Sequence, residues 1–266
     1  MSAILVCGSM AYDTVMVFPG RFRDHILPDR IHMLNVSFLV PRLSRNFGGC
    51  AGNIVYNLGL LQADAHAMAT VGHDFGPYEA QMQKLGLSLR HVRLIESEYT
   101  AQAYITTDQD DNQITAFHPG AMNFSHENMV PTDGSIRIGV VSPDGREGML
   151  QHAAQFADAG IPFLFDPGQG LPMFDGEELR RFIDQASWVA VNDYEAQLLC
   201  QRTGLPPEQI ARRVEALVVT RGAEGSRIYL HSQGHDRCID VACVPAEQTV
   251  DPTGCGDAYR AGLLYG

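Results

Sequence analysis

The sequence predicts a three-layer α/β/α fold, in which helices flank a mostly parallel sheet, with a small β-sheet lid attached. Three observations predict it. Short apolar runs alternate with helix-like segments through most of the chain, the pattern of right-handed crossover connections. The predicted strands end in polar residues, namely Ser9, Asp166, Asn192 and Thr220, and ligands of such sheets bind beyond those ends. Two stretches rich in β-branched and aromatic residues, 37–40 and 100–117, stand apart from the alternation and predict the separate small sheet.

Taken in order, 3–7 reads as a buried strand bounded by Gly8, with Ser9 and Asp13 following. Residues 14–18 alternate less cleanly, and Pro19-Gly20 turns the chain. Gly48-Gly49 lead into a helix over 51–61, where Ala51, Ile54, Val55, Leu58 and Leu61 share one face. The polar run 108–112 makes 100–117 a hairpin. A strand over 163–165 closes on Asp166-Pro167-Gly168, and a helix covers 177–186. A strand over 188–191 ends at Asn192; Asp193 then caps a helix that Gly204 stops. A strand over 217–219 ends in Thr220-Arg221-Gly222, 226–230 and 238–244 form a hairpin, and Asp251 opens a loop and a last helix. No repeat or long linker divides the 266 residues, so 1–266 reads as one domain, with lid strands drawn from about 13–45 and 98–120.

Composition narrows the partners. The formal net charge of -12 disfavours nucleic acid and anionic membranes, although local backbone dipoles still permit a small anionic ligand. The six cysteines are scattered without a C-x-x-C pair and read as reduced thiols; their spacing with histidine fits no usual zinc set. The N-terminal residues lack the basic start and long apolar run of a signal peptide, and no apolar stretch reaches membrane-spanning length. A cytoplasmic chain is expected.

The chemistry concentrates in Asp251-Pro252-Thr253-Gly254-Cys255-Gly256-Asp257. Glycines before a helix let unpaired amides close on an anion, so Gly254, Cys255 and Gly256 are read as an anion hole. Asp257, in the first helical turn, is placed to accept a proton, and the same amides are expected to keep it ionised at pH 7. The plainer alternative is a helix cap with turn glycines. No P-loop, protein-kinase glycine loop or G-x-S-x-G elbow occurs.

These residues resemble a known family. Asp251 to Asp257 is similar to the second signature of the ribokinase-like (PfkB) carbohydrate kinases, and Gly48-Gly49-Cys50-Ala51-Gly52-Asn53 to the first. Asn192-Asp193-Tyr194-Glu195 resembles their N-x-x-E element, and Thr220-Arg221-Gly222 with Gly225 their nucleotide loop, all in the family's order. Further segments, including 18–22, 36–40 and 117–122, are similar to bacterial adenosine kinases.

The resemblance implies a ribokinase-like fold and transfer of the ATP γ-phosphate to the 5′-hydroxyl of adenosine, with Asp257 as base. It implies that Ser9, Asp13, Ser37, Gly49, Asn53, Phe117 and Gln169 bind the nucleoside. Asn192, Thr220, Arg221, Gly222 and Gly225 would face ATP; Asn192 and Glu195 would order Mg²⁺ through water, with K⁺ an optional activator. Each has a plainer alternative: Glu195 a solvated first-turn acid, Phe117 a core residue of the lid, Arg221 a solvated cation. A ribose-type sugar kinase, and a nucleoside-binding protein without phosphotransfer, stand beside the adenosine reading. The lid is also a surface on which a second copy would dock. Cys255 stands where the family often has alanine, and Ala103 where adenosine kinases carry an aromatic. The family continues well past the base, whereas nine residues follow Asp257 here, so its C-terminal helices are expected to be missing.

Overall fold

The structure, a computed structural model, describes residues 3–26, 35–110, 112–232, 234–247 and 253–266. The strands are β1 (Ala3–Cys7), β2 (Ala11–Val17), β3 (Arg42–Gly48), β4 (Ala65–Gly72), β5 (Ser88–Ile95), β6 (Ala101–Thr107), β7 (Gln113–His118), β8 (Ile136–Val141), β9 (Phe163–Phe165), β10 (Trp188–Asn192), β11 (Ala216–Thr220), β12 (Ser226–Ser232) and β13 (His235–Val241). The helices are α1 (Cys50–Leu60), α2 (Gly76–Lys84), α3 (Arg146–Asp158), α4 (Gly176–Gln185), α5 (Asp193–Thr203), α6 (Pro207–Ala211) and α7 (Cys255–Tyr265).

The main sheet has nine strands in the order β13-β12-β11-β10-β9-β8-β1-β4-β5. From β11 to β5 neighbours pair in parallel; β12 and β13 add an antiparallel edge. The central strands are apolar on both faces, as a sheet covered on both sides requires. Leu5, Phe163, Phe165, Val189 and Val191 pack with Met149, Phe156, Leu179 and Phe182 of α3 and α4. On the other face Ile4, Val6 and Ala67 pack with Ile54, Val55 and Leu58 of α1, Met82 of α2 and Ala261 of α7. Beyond α7 that face carries an apolar groove of about 360 Å³ over Ile138, Leu164, Trp188 and Val218.

The lid is a second sheet in the order β3-β2-β6-β7. Its β2–β6 pair is parallel and the others antiparallel. The expected hairpin forms, β6 pairing antiparallel with β7: the Asp108 carboxylate accepts the N–H groups of Phe22, Asp110 and Asn112, each at 2.9 Å, and Asp111 lies outside the described residues. One lid expectation fails. Residues 35–40 are irregular, and the third lid strand is Arg42–Gly48. β3 is exposed over its first six residues, so its mixture of polar and apolar side chains carries little of the apolar signal that marks a strand. The cap of α5 also differs: Asn192, not Asp193, takes the position.

Gly49 joins the lid to the main domain. Its φ of +87° lies in the region that favours glycine, and an added Cβ would lie 2.6–2.8 Å from the backbone of Ser9, Met10 and Ala11. Gly49→Ala is predicted to cost about 2–3 kcal/mol of unfolding free energy through backbone strain and clash. Urea denaturation checks this; wild-type stability in the variant would contradict the account.

Candidate active site

The C-terminal ends of β1, β9, β10 and β11 place Ser9, Asp166, Asn192 and Thr220 along one edge of the main sheet, and α1 and α7 meet there. Both helices start from a glycine at positive φ, Gly49 at 87° and Gly254 at 78°. Ser9 reaches across to cap α1. Its Oγ accepts the Cys50 N–H at 3.2 Å and its carbonyl accepts the Ala51 N–H at 3.0 Å. In α7 the first bond runs from the Ala258 N–H to the Gly254 carbonyl at 2.9 Å. Among the described residues, the amides of Cys255, Gly256 and Asp257 have no acceptor, which leaves them for an anion. Asp251 and Pro252 of the signature lie outside the described residues.

The two helix starts are tied together by one bond: Asn53 Nδ2 donates to Asp257 Oδ2 at 2.8 Å. Burial pushes the Asp257 carboxyl up to about 6; the Asn53 donor pulls it down, Asp166 raises it, Arg260 lowers it and Asp13 raises it. Desolvation thus outweighs the donors that favour its charge, without overturning the expectation of an ionised group at pH 7. At pH 7 the group remains mostly ionised, yet it is a stronger base than a solvated aspartate.

Arg260 follows Asp257 by three residues and so shares its side of α7. Arg260 is 5% exposed and its guanidinium donates to Asp166 Oδ1 at 2.9 Å; Asp166 is 3% exposed. The pair is buried beside Asp257, and Arg260 supplies a positive charge where Asp166, Glu195 and Asp257 would otherwise repel one another and any incoming phosphate. Neither the pair nor the Asn53–Asp257 bond was anticipated from sequence. The three-residue spacing of Asp257 and Arg260 was the available signal.

Asn192 and Glu195 form a reciprocal capping box on α5. Asn192 Oδ1 accepts the Glu195 N–H at 2.7 Å, while the Glu195 carboxylate accepts both the Asn192 N–H and Nδ2, each at 2.9 Å. Burial pushes the Glu195 carboxyl up. Among the described residues no group of three His, Cys, Asp or Glu side chains could hold a metal directly. Hard oxygen donors already engaged in a cap suit Mg²⁺ that keeps its waters, so these residues fit the ion only through water.

On the lid, Asn46, Asp13, Ala103 and Phe117 are directly opposed across four strands and share one face. Asp13 lies against Gly48, where an added Cβ would sit 2.3 Å from Oδ2, and burial raises its carboxyl. Phe117 is 52% exposed, which corrects its reading as a core residue of the lid. Ser37 is exposed in irregular chain, and Gln169 is exposed in the 3₁₀ turn Gly168–Met173; no hydrogen bond among the described residues ties either to the base. Thr220 Oγ1 donates back into the sheet, to the Val191 carbonyl at 3.4 Å. Arg221 is not a free cation: it pairs with Asp240 at 2.9 Å. Gly222 and Gly225 hold positive φ in a tight turn, closed by the Arg221 N–H on the Gly225 carbonyl at 2.8 Å.

The raised Asp257 carboxyl is also a statement about stability. A carboxyl near 3.8 unfolded and about 6 folded favours the native state when protonated, and that advantage is lost as pH rises through 6. Asp257→Asn keeps the shape, an acceptor for Asn53 and no charge. It is predicted to gain about 1–3 kcal/mol at pH 8 and little at pH 4, as read by thermal unfolding at both pH values. Equal gains at both would contradict the burial account.

Comparison with known proteins places this arrangement. Residues 9–266 match the family model described as pfkB family carbohydrate kinase. The nucleoside kinase of Methanocaldococcus jannaschii is 32% identical over 232 residues, covering 86% of this chain and 75% of that protein. The structure of Burkholderia thailandensis nucleoside kinase in complex with inosine is 54% identical, with TM-score 0.87, covering 99% of this chain and 83% of that one. The same enzyme's ADP–inosine complex gives 56% identity and TM-score 0.84, covering 99% and 82%. The chain is thus a member of the pfkB family of carbohydrate kinases.

Proposed function

We propose that the protein is a nucleoside kinase that moves the γ-phosphate of ATP to the 5′-hydroxyl of a purine nucleoside. One observation carries the reading: the Asp257 carboxylate stands at the start of α7, beside amides free to take an anion and held by Asn53. The sequence resemblance favours adenosine; the inosine and ADP–inosine complexes of the Burkholderia relative extend the class to other purine nucleosides.

In this mechanism Asp13 holds the ribose hydroxyls, with Gly49 allowing close backbone approach. Asp257 takes the proton of the 5′-hydroxyl as that oxygen attacks the γ-phosphorus in line. The amides opening α7 receive charge on the transferring phosphoryl oxygens. Asn53 orients the carboxylate, and Arg260 neutralises Asp166 so that phosphate enters a less repulsive site. Glu195 and Asn192 would hold Mg²⁺ through water, where the ion would supply charge neutralisation on ATP. Gly222 and Gly225 let the 220–225 turn approach the nucleotide, and Arg221 reaches it only by leaving Asp240. Phe117, Ser37, Ser9 and Gln169 remain the proposed surround of the base. The lid, with Leu43, Tyr104 and Ile114 exposed, is the proposed face for a second copy. No described helix is long and apolar enough to cross a membrane.

Asp257→Asn is predicted to lower kcat by roughly 10²–10⁴ while nucleoside affinity changes little. In the wild type, kcat/KM is predicted to fall as pH drops through about 6, the range in which Asp257 protonates. Retained turnover in the variant would remove the base role. A screen of adenosine, inosine and ribose with ATP assigns the acceptor. Turnover of ribose alone would favour a sugar kinase, and nucleoside binding without AMP or IMP would favour a binding protein.

A further inference from the structure

The lid meets the main domain at an acidic side chain that no site motif includes. Asp74 lies between β4 and α2, and its carboxylate is 17% exposed. Oδ1 accepts the Thr100 N–H at 2.7 Å, at the entry to β6. Oδ2 accepts Arg45 Nη2 of β3 and Gln102 Nε2 of β6, each at 3.0 Å. The Asp74 carbonyl accepts the Tyr12 hydroxyl of β2 at 3.0 Å. Three of the four lid strands are therefore tied to one main-domain residue.

The tie continues outward. The Arg45 guanidinium carbon lies 3.6 Å from the centre of the Tyr12 ring, a cation–π contact between β3 and β2. Tyr104 donates to Gln102 Oε1 at 2.8 Å and so orients the amide whose nitrogen serves Asp74. Beneath the carboxylate, the Gly72 N–H donates to Thr100 Oγ1 at 3.0 Å. An added Cβ on Gly72 would lie 2.2–2.3 Å from the backbone of 98–100, so β4 and the lid entry touch without room for a side chain. Tyr12 directly precedes Asp13, and neighbouring residues of a strand face opposite ways. Holding Tyr12 on the main-domain side thus sets where Asp13 stands on the cleft side.

We infer that Asp74 is a positioning residue for acceptor binding: it sets the seat of the lid, and through Tyr12, Arg45 and Gln102 the placement of Asp13 over the acceptor. The role rests on the reading that the lid covers a nucleoside. It is separable from the nucleotide side: the Asp74 hydrogen bonds run to Tyr12, Arg45, Thr100 and Gln102, while the α5 cap and the 220–225 turn are held by their own bonds.

The test uses the full chain. Asp74→Asn keeps size but puts an amide donor where two donors converge, and Arg45→Met removes one bond while keeping an apolar stem over Tyr12. Steady-state kinetics are measured with inosine and ATP varied separately, and amide hydrogen exchange is followed for peptides covering 11–17, 101–107 and 163–173. The inference predicts a KM for inosine raised at least 10-fold in Asp74→Asn and 3–10-fold in Arg45→Met. The KM for ATP should stay within 3-fold. Exchange should be faster in 11–17 and 101–107 and unchanged in 163–173. Equal rises in both KM values, unchanged inosine KM, or faster exchange throughout the chain would overturn it. If the wild type phosphorylates no nucleoside, the kinase reading fails by itself; the exchange pattern still decides whether Asp74 seats the lid.

Discussion

The bond from Asn53 to Asp257 is the constraint on which the rest of the site depends. It joins the first turns of two helices that are about two hundred residues apart in sequence, and it does so at the strand ends where the sheet presents its polar residues. Each helix enters through a glycine at positive φ, so its first amides arrive at the edge unencumbered by a side chain at the turn. One helix is capped by Ser9, just beyond β1; the first amides of the other have no acceptor among the described residues. The same geometry that closes α1 onto the sheet also brings the start of α7 to its edge, where the anion is proposed to sit.

Electrostatics at this edge are a balance between burial and compensation. Three carboxylates, Asp166, Glu195 and Asp257, approach the place proposed for phosphate. Asp166 is offset by a buried guanidinium, and Glu195 is spent on the cap of α5. Asp257 has a carboxyl raised by burial and one side-chain donor, the Asn53 amide. Burial costs the fold stability at neutral pH and gives the group basicity, the trade commonly found at catalytic sites. The lid works by a different economy. Its outer strands β3 and β7 are exposed, so a few directed hydrogen bonds to the main domain carry much of its placement.

Much of this architecture was legible in the sequence, and the reasons are local. Strands β1, β9, β10 and β11 are short apolar runs stopped by polar or turn residues, and their ends were read within one residue. The turn between β6 and β7 was legible because Asp108 accepts backbone N–H groups of its own turn. The lid strand β3 was not, because an exposed edge strand shows no apolar alternation, and 37–40 looked more strand-like than it is. Asn192 and Asp193 are both good caps, and only the reciprocal bond with Glu195 decides between them. How far burial raises the Asp257 carboxyl was not legible, because burial by distant segments leaves no mark near position 257. Long-range pairs such as Asp166 with Arg260, and Asp74 with Arg45 and Gln102, are likewise products of the fold.

The claim at the centre is spatial: one carboxyl group must touch the hydroxyl that is to be phosphorylated. The most direct measurement is a crystal structure of the chain with inosine and a non-hydrolysable ATP analogue bound. The account predicts the inosine 5′-oxygen within hydrogen-bonding reach of Asp257, roughly 2.6–3.2 Å, with the analogue's terminal phosphate against the amides that open α7. An acceptor oxygen turned away from Asp257, or a terminal phosphate seated elsewhere, would contradict it.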